Sequence, residues 1–135
     1  MVTMSWTSAL ALDFPPIDNL HRRLVEHIAN VQTCDDRAMT EQWAALVECA
    51  QALFADEDQW MHCTDFANAP HHSLEHRVVL NVLREGLALS RQGQHAQVRT
   101  MTQELARWLP KHIQSLDAAL ALHLRRHPTS SQTLH

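Results

Sequence analysis

The 135-residue chain has two glycines, three cysteines and no tyrosine, and its aromatic fraction is 5%. With so little glycine and with Ala, Leu, Gln, Glu and Arg abundant, the composition favours helix and disfavours sheet. The cysteines, Cys34, Cys49 and Cys63, are odd in number and lack CxxC spacing. They fit reduced, mostly buried thiols rather than a disulfide framework, which disfavours an oxidising compartment. Absence of tyrosine excludes tyrosyl-radical chemistry. No apolar run reaches the roughly 18 residues of a membrane span, and Met1-Val2-Thr3-Met4-Ser5-Trp6 lacks a basic n-region followed by an apolar stretch. No membrane partner and a cytoplasmic location are expected. A net charge of −4 and a pI near 6.2 give no basic footprint, so no nucleic-acid partner is expected either.

The periodicity predicts an all-α, up-down-up-down four-helix bundle with an extended N-terminal arm, occupying residues 1–125. Pro15 and Pro16 interrupt any helix through residues 1–17, which read as an arm anchored by Trp6, Leu10 and Phe14. Asp18 reads as the N-cap of a first helix to about Gln32. A second begins near Thr40 and carries Trp43, Leu46, Val47, Ala50, Leu53, Phe54, Trp60 and Met61 on an apolar stripe that one carboxylate, Glu57, interrupts. A third runs from about Pro70 to Ser90 with His72, His76, Val79, Leu80 and Leu83 inward. A fourth runs from about His95 to Leu124 through Val98, Leu109, His112, Leu116 and Leu120. Residues 126–135 have little to bury and read as a disordered tail.

Polar residues on these stripes carry the chemistry. His72 and His76 are four apart, so they share a helix face about 6 Å apart along the axis and can meet one metal. His112 and Asp117 are five apart, a turn of about 500°, which leaves them roughly 140° apart on an ideal helix. A local widening, a π-bulge, would bring both to one point. Imidazole suits iron, zinc, copper and nickel, while a carboxylate can bridge and neutralise cations, so His with Asp and Glu favours non-haem iron over thiolate zinc. His72, His76, His112, Glu57 and Asp117 would otherwise be polar groups on apolar stripes, each costing a few kcal/mol unless paired. A shared metal explains all five at once; a metal-free network of imidazoles and carboxylates is the alternative. His21, in the first helix's first turn, taken alone reads more simply as a hydrogen-bonded core residue. His27, His62, His71, His95, His123, His127 and His135 match no cluster and read as solvated.

These residues resemble the hemerythrin family, across most of the chain and in the family's order. Asp18-Asn19-Leu20-His21 is similar to its D-x-x-H, and Phe54 through Met61 to its F-x-x-E-E-x-x-M. His72 to His76 is similar to its H-x-x-x-H, and Trp108-Leu109-Pro110-Lys111-His112 with Asp117 to its W-L-x-x-H-x-x-x-x-D. The resemblance implies a four-helix bundle with a di-iron centre of five histidines and two bridging carboxylates that binds O2. By carry-over, His72, His76 and His112 would bind one iron, His21 the other, and Glu57 with Asp117 would bridge them. One departure bears on the site: the second-helix pattern H-F-x-x-E begins here with Leu53, so the second iron lacks a histidine. Smaller departures are Asp58 for the second Glu and Asp65-Phe66-Ala67 where the family usually has Gly-Tyr-Pro.

Three outcomes follow from Leu53: a weaker, open second iron site; a mononuclear centre; or substitution by Cys49 or Asp56, each about one turn away. The expected function is a hemerythrin-like non-haem iron protein binding O2 or a related small diatomic or peroxide ligand, as carrier, store or sensor. The alternatives are an open-site iron enzyme acting on peroxide, NO or O2, which needs a reductant partner, and a mononuclear or zinc-binding interaction bundle.

Overall fold

Pro15 and Pro16 open the first helix rather than ending the arm. The structure, a computed structural model, describes residues 2–127, and in it α1 spans Pro15–Thr33, four residues earlier than an N-cap at Asp18 suggests. Proline lacks an N–H that the first helical turn leaves unpaired anyway and brings a helical φ, so two prolines there cost little. Asp18 is not the cap. Its carboxylate accepts from the backbone N–H of Leu12 at 2.8 Å and of Phe14 at 3.3 Å, tying the arm to the helix it precedes. The arm contains one short 3₁₀ turn, Ser8–Leu10, and buries Leu10 and Phe14, while Trp6 is half-buried. Gln32, near the other end of α1, holds the arm's start by accepting from Met4 N–H at 2.7 Å and donating to the Val2 carbonyl at 3.3 Å.

A 3₁₀ turn at Asp36–Ala38, capped by the Asp35 carboxylate, leads into α2, Met39–Cys63. Helix α3 is Ala69–Arg91, with Pro70 in its first turn. Helix α4, His95–His112, passes through a π-helical stretch, Ile113–Asp117, into α5, Ala118–Arg125, so that three pieces form the fourth rod. Pro110 lies in α4 just before the wide turn and removes one backbone rung there. α1 packs on α2, α2 on α3, α3 on α4, and α4 back on α1, which closes the up-down-up-down bundle. Among the described residues no helix is long and apolar enough to cross a membrane. The expected tail lies outside the described residues from 128 onward; Arg126 and His127 are exposed.

The apolar core is divided in two. One cluster gathers Leu24, Ile28, Trp43, Leu53, Phe54, Leu83, Leu109 and Ile113. The other holds Phe14, Ile17, Trp60, Met61, Leu120, Ala121 and Leu124. On each of three rods a buried polar residue falls between members of the two: His21 between Ile17 and Leu24, Glu57 between Phe54 and Trp60, and Asp117 between Ile113 and Leu120. A polar layer therefore crosses the bundle.

The cysteines depart from expectation. None is buried: Cys34 and Cys49 are half-buried and Cys63 is exposed, and all three are free thiols.

Candidate metal centre

All four rods contribute to the polar layer. α1 supplies His21, α2 Glu57, α3 His72 and His76, and the fourth rod His112 at the last residue of α4 with Asp117 at the end of the π stretch. The wide turn solves the angular problem posed by a five-residue step, since His112 Nε2 lies 3.1 Å from Asp117 Oδ1. Each of the six side chains is at most 2% exposed.

One ligand atom from each of Glu57, His72, His76, His112 and Asp117 falls within 4.8 Å of every other. Glu57 Oε1 lies 3.0 Å from His76 Nε2 and 3.5 Å from His72 Nε2, and Asp117 Oδ1 lies 2.9 Å from His72 Nε2. These approaches are close, yet none is aligned as a hydrogen bond. The Nε2 atoms of His72, His76 and His112, Glu57 Oε1 and both Asp117 oxygens are buried without a hydrogen-bond partner. Five buried side chains whose lone pairs face one another without pairing are costly unless something between them accepts those lone pairs. A cation does so, and three imidazole nitrogens with two carboxylate oxygens form a donor set that suits iron or zinc. A metal-free network would have to hold these groups as imidazolium–carboxylate pairs, and of those contacts only His21 with Glu57 is aligned as a hydrogen bond.

His21 stands apart from those five. Its Nε2 approaches the opposite oxygens of the same carboxylates, Asp117 Oδ2 at 2.9 Å and Glu57 Oε2 at 3.3 Å, the latter a hydrogen bond. Each carboxylate thus turns one oxygen toward two of the three clustered histidines and the other toward His21.

Two of the three clustered imidazoles are held from behind. His76 Nδ1 lies 2.8 Å from Asp58 Oδ1, which also accepts from Ser73 Oγ at 2.8 Å. His112 Nδ1 lies 2.8 Å from Glu75 Oε1, which also accepts from the Trp108 indole N–H at 3.1 Å. Phe54 stacks on His76 at 4.1 Å between ring centroids, and Trp108 on His112 at 4.6 Å. Sequence reasoning treated Asp58 only as a departure and gave Glu75 no role. The available signal was an acidic residue immediately beside a candidate ligand, on each of two helices.

The charges on this layer depend on one another in the metal-free chain. Burial opposes protonation of His21, but the Asp117 and Glu57 carboxylates outweigh it and raise its pKa to about 9. The same balance raises His72 to about 9 and moves His112 upward. Burial and the neighbouring Asp117 charge oppose ionisation of Glu57, and the surrounding imidazoles prevail, lowering its pKa. Burial likewise opposes ionisation of Asp117, yet His112, His21 and His72 hold it well below its ordinary value.

Leu53 is 2% exposed and packs in the apolar cluster with Phe54 and Leu24. Neither neighbour considered as a replacement ligand joins the five clustered residues. Asp56 is exposed, and half-buried Cys49 lines a groove of about 330 Å3 with Leu20, Arg23, His27, Glu48 and Leu53. Among the remaining histidines, His62, His71 and His127 are exposed as expected. His123 is not simply solvated: its Nε2 lies 2.9 Å from Thr64 Oγ1 and 3.1 Å from the Thr64 carbonyl. His27 and His95 are half-buried, each with Nδ1 shielded from solvent. His135 lies outside the described residues.

Comparison with known proteins adds an independent line. The Hemerythrin HHE cation binding domain family matches residues 15–121. The chain is 26% identical over 117 residues to the bacteriohemerythrin of Ralstonia nicotianae, covering 87% of this chain and 85% of the relative. It is 29% identical over 133 residues to the bacteriohemerythrin of Stenotrophomonas maltophilia, covering 94% of this chain and 85% of the relative. The crystal structure of a wild-type hemerythrin superimposes with a TM-score of 0.79 at 20% identity, covering 91% of this chain and 98% of that one, a likeness of fold.

Proposed function

The chain belongs to the hemerythrin HHE cation-binding family, and from that premise we propose that it is a non-haem iron protein that binds O2 or a related small oxidant, as carrier, store or sensor. The functional unit is the bundle at residues 1–125. One iron is held by His72, His76 and His112 with one oxygen each from Glu57 and Asp117. A second, ligand-deficient position is served by His21 and the other two carboxylate oxygens, with Leu53 where the family has a histidine. The observation that carries this reading is the set of buried, unpartnered lone pairs converging within 4.8 Å.

Bound iron supplies electrons to a small oxidant. The chain's own residues would do the rest: Glu57 and Asp117 would offset the cation charge, three imidazoles would supply neutral donors, and the two apolar clusters keep bulk water from the layer. Leu53 is buried in the apolar cluster with Leu24 and Phe54 and supplies no donor, so the second position has fewer protein ligands than the first. That shortage of ligands also favours a second reading, an iron enzyme that turns over peroxide, NO or O2 with an external reductant.

The test is elemental analysis of protein reconstituted anaerobically with Fe(II), followed by its absorption spectrum in air. Between one and two irons per chain with ferric charge-transfer bands supports the reading. A colourless protein that retains zinc in preference to iron overturns it. Catalytic consumption of peroxide, NO or O2 with excess reductant favours the enzyme.

A further inference from the structure

Asp58 and Glu75 lie outside the ligand cluster, yet each grips a clustered imidazole from a different helix. Asp58 on α2 meets His76 on α3 at 2.8 Å, and Glu75 on α3 meets His112 on α4 at 2.8 Å. The two contacts form a cross-helix relay running from α2 to α4. Each carboxylate is itself oriented by a second donor, Ser73 Oγ for Asp58 and the Trp108 indole for Glu75. Each gripped imidazole is also covered by an aromatic ring, Phe54 or Trp108. Neither His21 Nδ1 nor His72 Nδ1 has such a partner. The support is thus unequal between the two sides of the bridging carboxylates: both outer carboxylates serve the three-histidine side and neither serves His21.

We propose that Asp58 and Glu75 are positioning residues that make the three-histidine position the tighter metal site, by holding His76 and His112 as Nδ1–H tautomers with Nε2 aimed inward. The inference rests on the metal-binding reading above. An Nδ1–H donated to a carboxylate leaves Nε2 as the lone-pair atom, fixes the ring plane and makes that nitrogen a stronger donor; losing such a partner typically costs about 10–100-fold in metal affinity. Both carboxylates are partly exposed, with side chains 39% and 27% accessible for Asp58 and Glu75, so they add little to the apolar core and their removal should spare the fold.

The experiment is anaerobic competition titration of the full-length protein with Co(II) against a chromophoric chelator, reading affinity and the Co(II) visible spectrum, for wild type, Asp58→Asn, Glu75→Gln, Asp58→Glu and Ser73→Ala. Asp58→Asn and Glu75→Gln should each weaken the first equivalent of Co(II) by about 10–100-fold and alter its ligand-field bands, with the metal-free melting midpoint unchanged. Asp58→Glu should recover most of the affinity, and Ser73→Ala, which leaves the Asp58 contact with His76 in place, should change it by less than about threefold. Wild-type affinity in both amide variants overturns the proposal, as does a loss that follows metal-free stability and is not recovered by Asp58→Glu. Absence of tight Co(II) binding by the wild type would overturn the metal-binding reading itself.

Discussion

Asp117 Oδ2 lies 2.9 Å from His21 Nε2, while Oδ1 of the same carboxylate lies 2.9 Å from His72 Nε2 and 3.1 Å from His112 Nε2. One buried carboxylate therefore links the two sides of the polar layer, and Glu57 repeats the arrangement. Whatever cation sits on one side is felt on the other through two shared anions. In the metal-free chain those cations are protons, and metal must displace them.

Metal-free stability should consequently fall in alkali. The folded-state pKa values of His21 and His72, about 9, lie above the ordinary 6.5, and His112 moves the same way. Their contribution is fully present below about pH 6.5 and is lost as pH rises through about 9. Glu57 and Asp117 shift downward, so their contribution is present above the ordinary carboxylate range and fades as pH falls through their folded values. Thermal unfolding of chelator-treated protein at pH 6, 7.5 and 9 should show a declining midpoint. Metal-loaded protein should reverse that trend, because coordination requires neutral imidazole and alkali favours it. A metal-free midpoint that is flat or rising from pH 6 to 9 would remove the ion-paired account of the metal-free protein.

Leu53→His tests the missing ligand. Leu53 is buried among apolar neighbours, so an imidazole there either finds a metal or remains a buried polar group without a partner. Without metal the variant should lose about 1–3 kcal/mol in denaturant unfolding. With Fe(II) it should regain that stability, bind closer to two irons per chain and react differently with O2. Unchanged iron content and unchanged O2 reactivity would show that Leu53 does not control the second position.

What the sequence made legible was whatever depends on spacing within one helix. The five-residue step from His112 to Asp117 demanded a wide turn because an ideal helix points those side chains apart, and the π stretch Ile113–Asp117 is there. His72 and His76 share a face by the four-residue rule, and Glu57 stands out as one carboxylate in an apolar stripe. Contacts between helices were not legible, because which flanking residue reaches across depends on how each rod is rotated in the bundle. That is why Asp58 and Glu75 escaped notice. Proline was ambiguous in itself: Pro15 and Pro16 read as helix breakers, and they start α1. Asp65 takes a positive φ of 52°, a left-handed conformation that Asp tolerates better than most residues, so the turn after α2 needs no glycine there.

Gly86 is the last case, and helix propensity alone gives the wrong sign for it. In the interior of α3, replacing Gly with Ala should gain about 1 kcal/mol. Here the new methyl would sit 2.6 Å from Trp43 Cε2 and nearer still to Cζ2, closer than real atoms approach. Trp43 cannot readily retreat: it is fully buried, and its indole N–H donates to the Leu83 carbonyl at 2.6 Å, one turn before Gly86 on the same helix. Overpacking of this kind costs about 1–3 kcal/mol or more, which exceeds the propensity gain. Gly86→Ala should therefore destabilise the protein in denaturant unfolding. Trp43→Phe should also destabilise it, by opening space and stranding the carbonyl's extra acceptor. Because phenylalanine lacks Cζ2, the indole atom nearest the methyl, the double variant should be less damaged than the sum of the singles, a coupling of about 0.5–3 kcal/mol for residues in contact. A Gly86→Ala protein more stable than the wild type, or strict additivity in that cycle, would mean that α3 and α2 do not approach through this glycine.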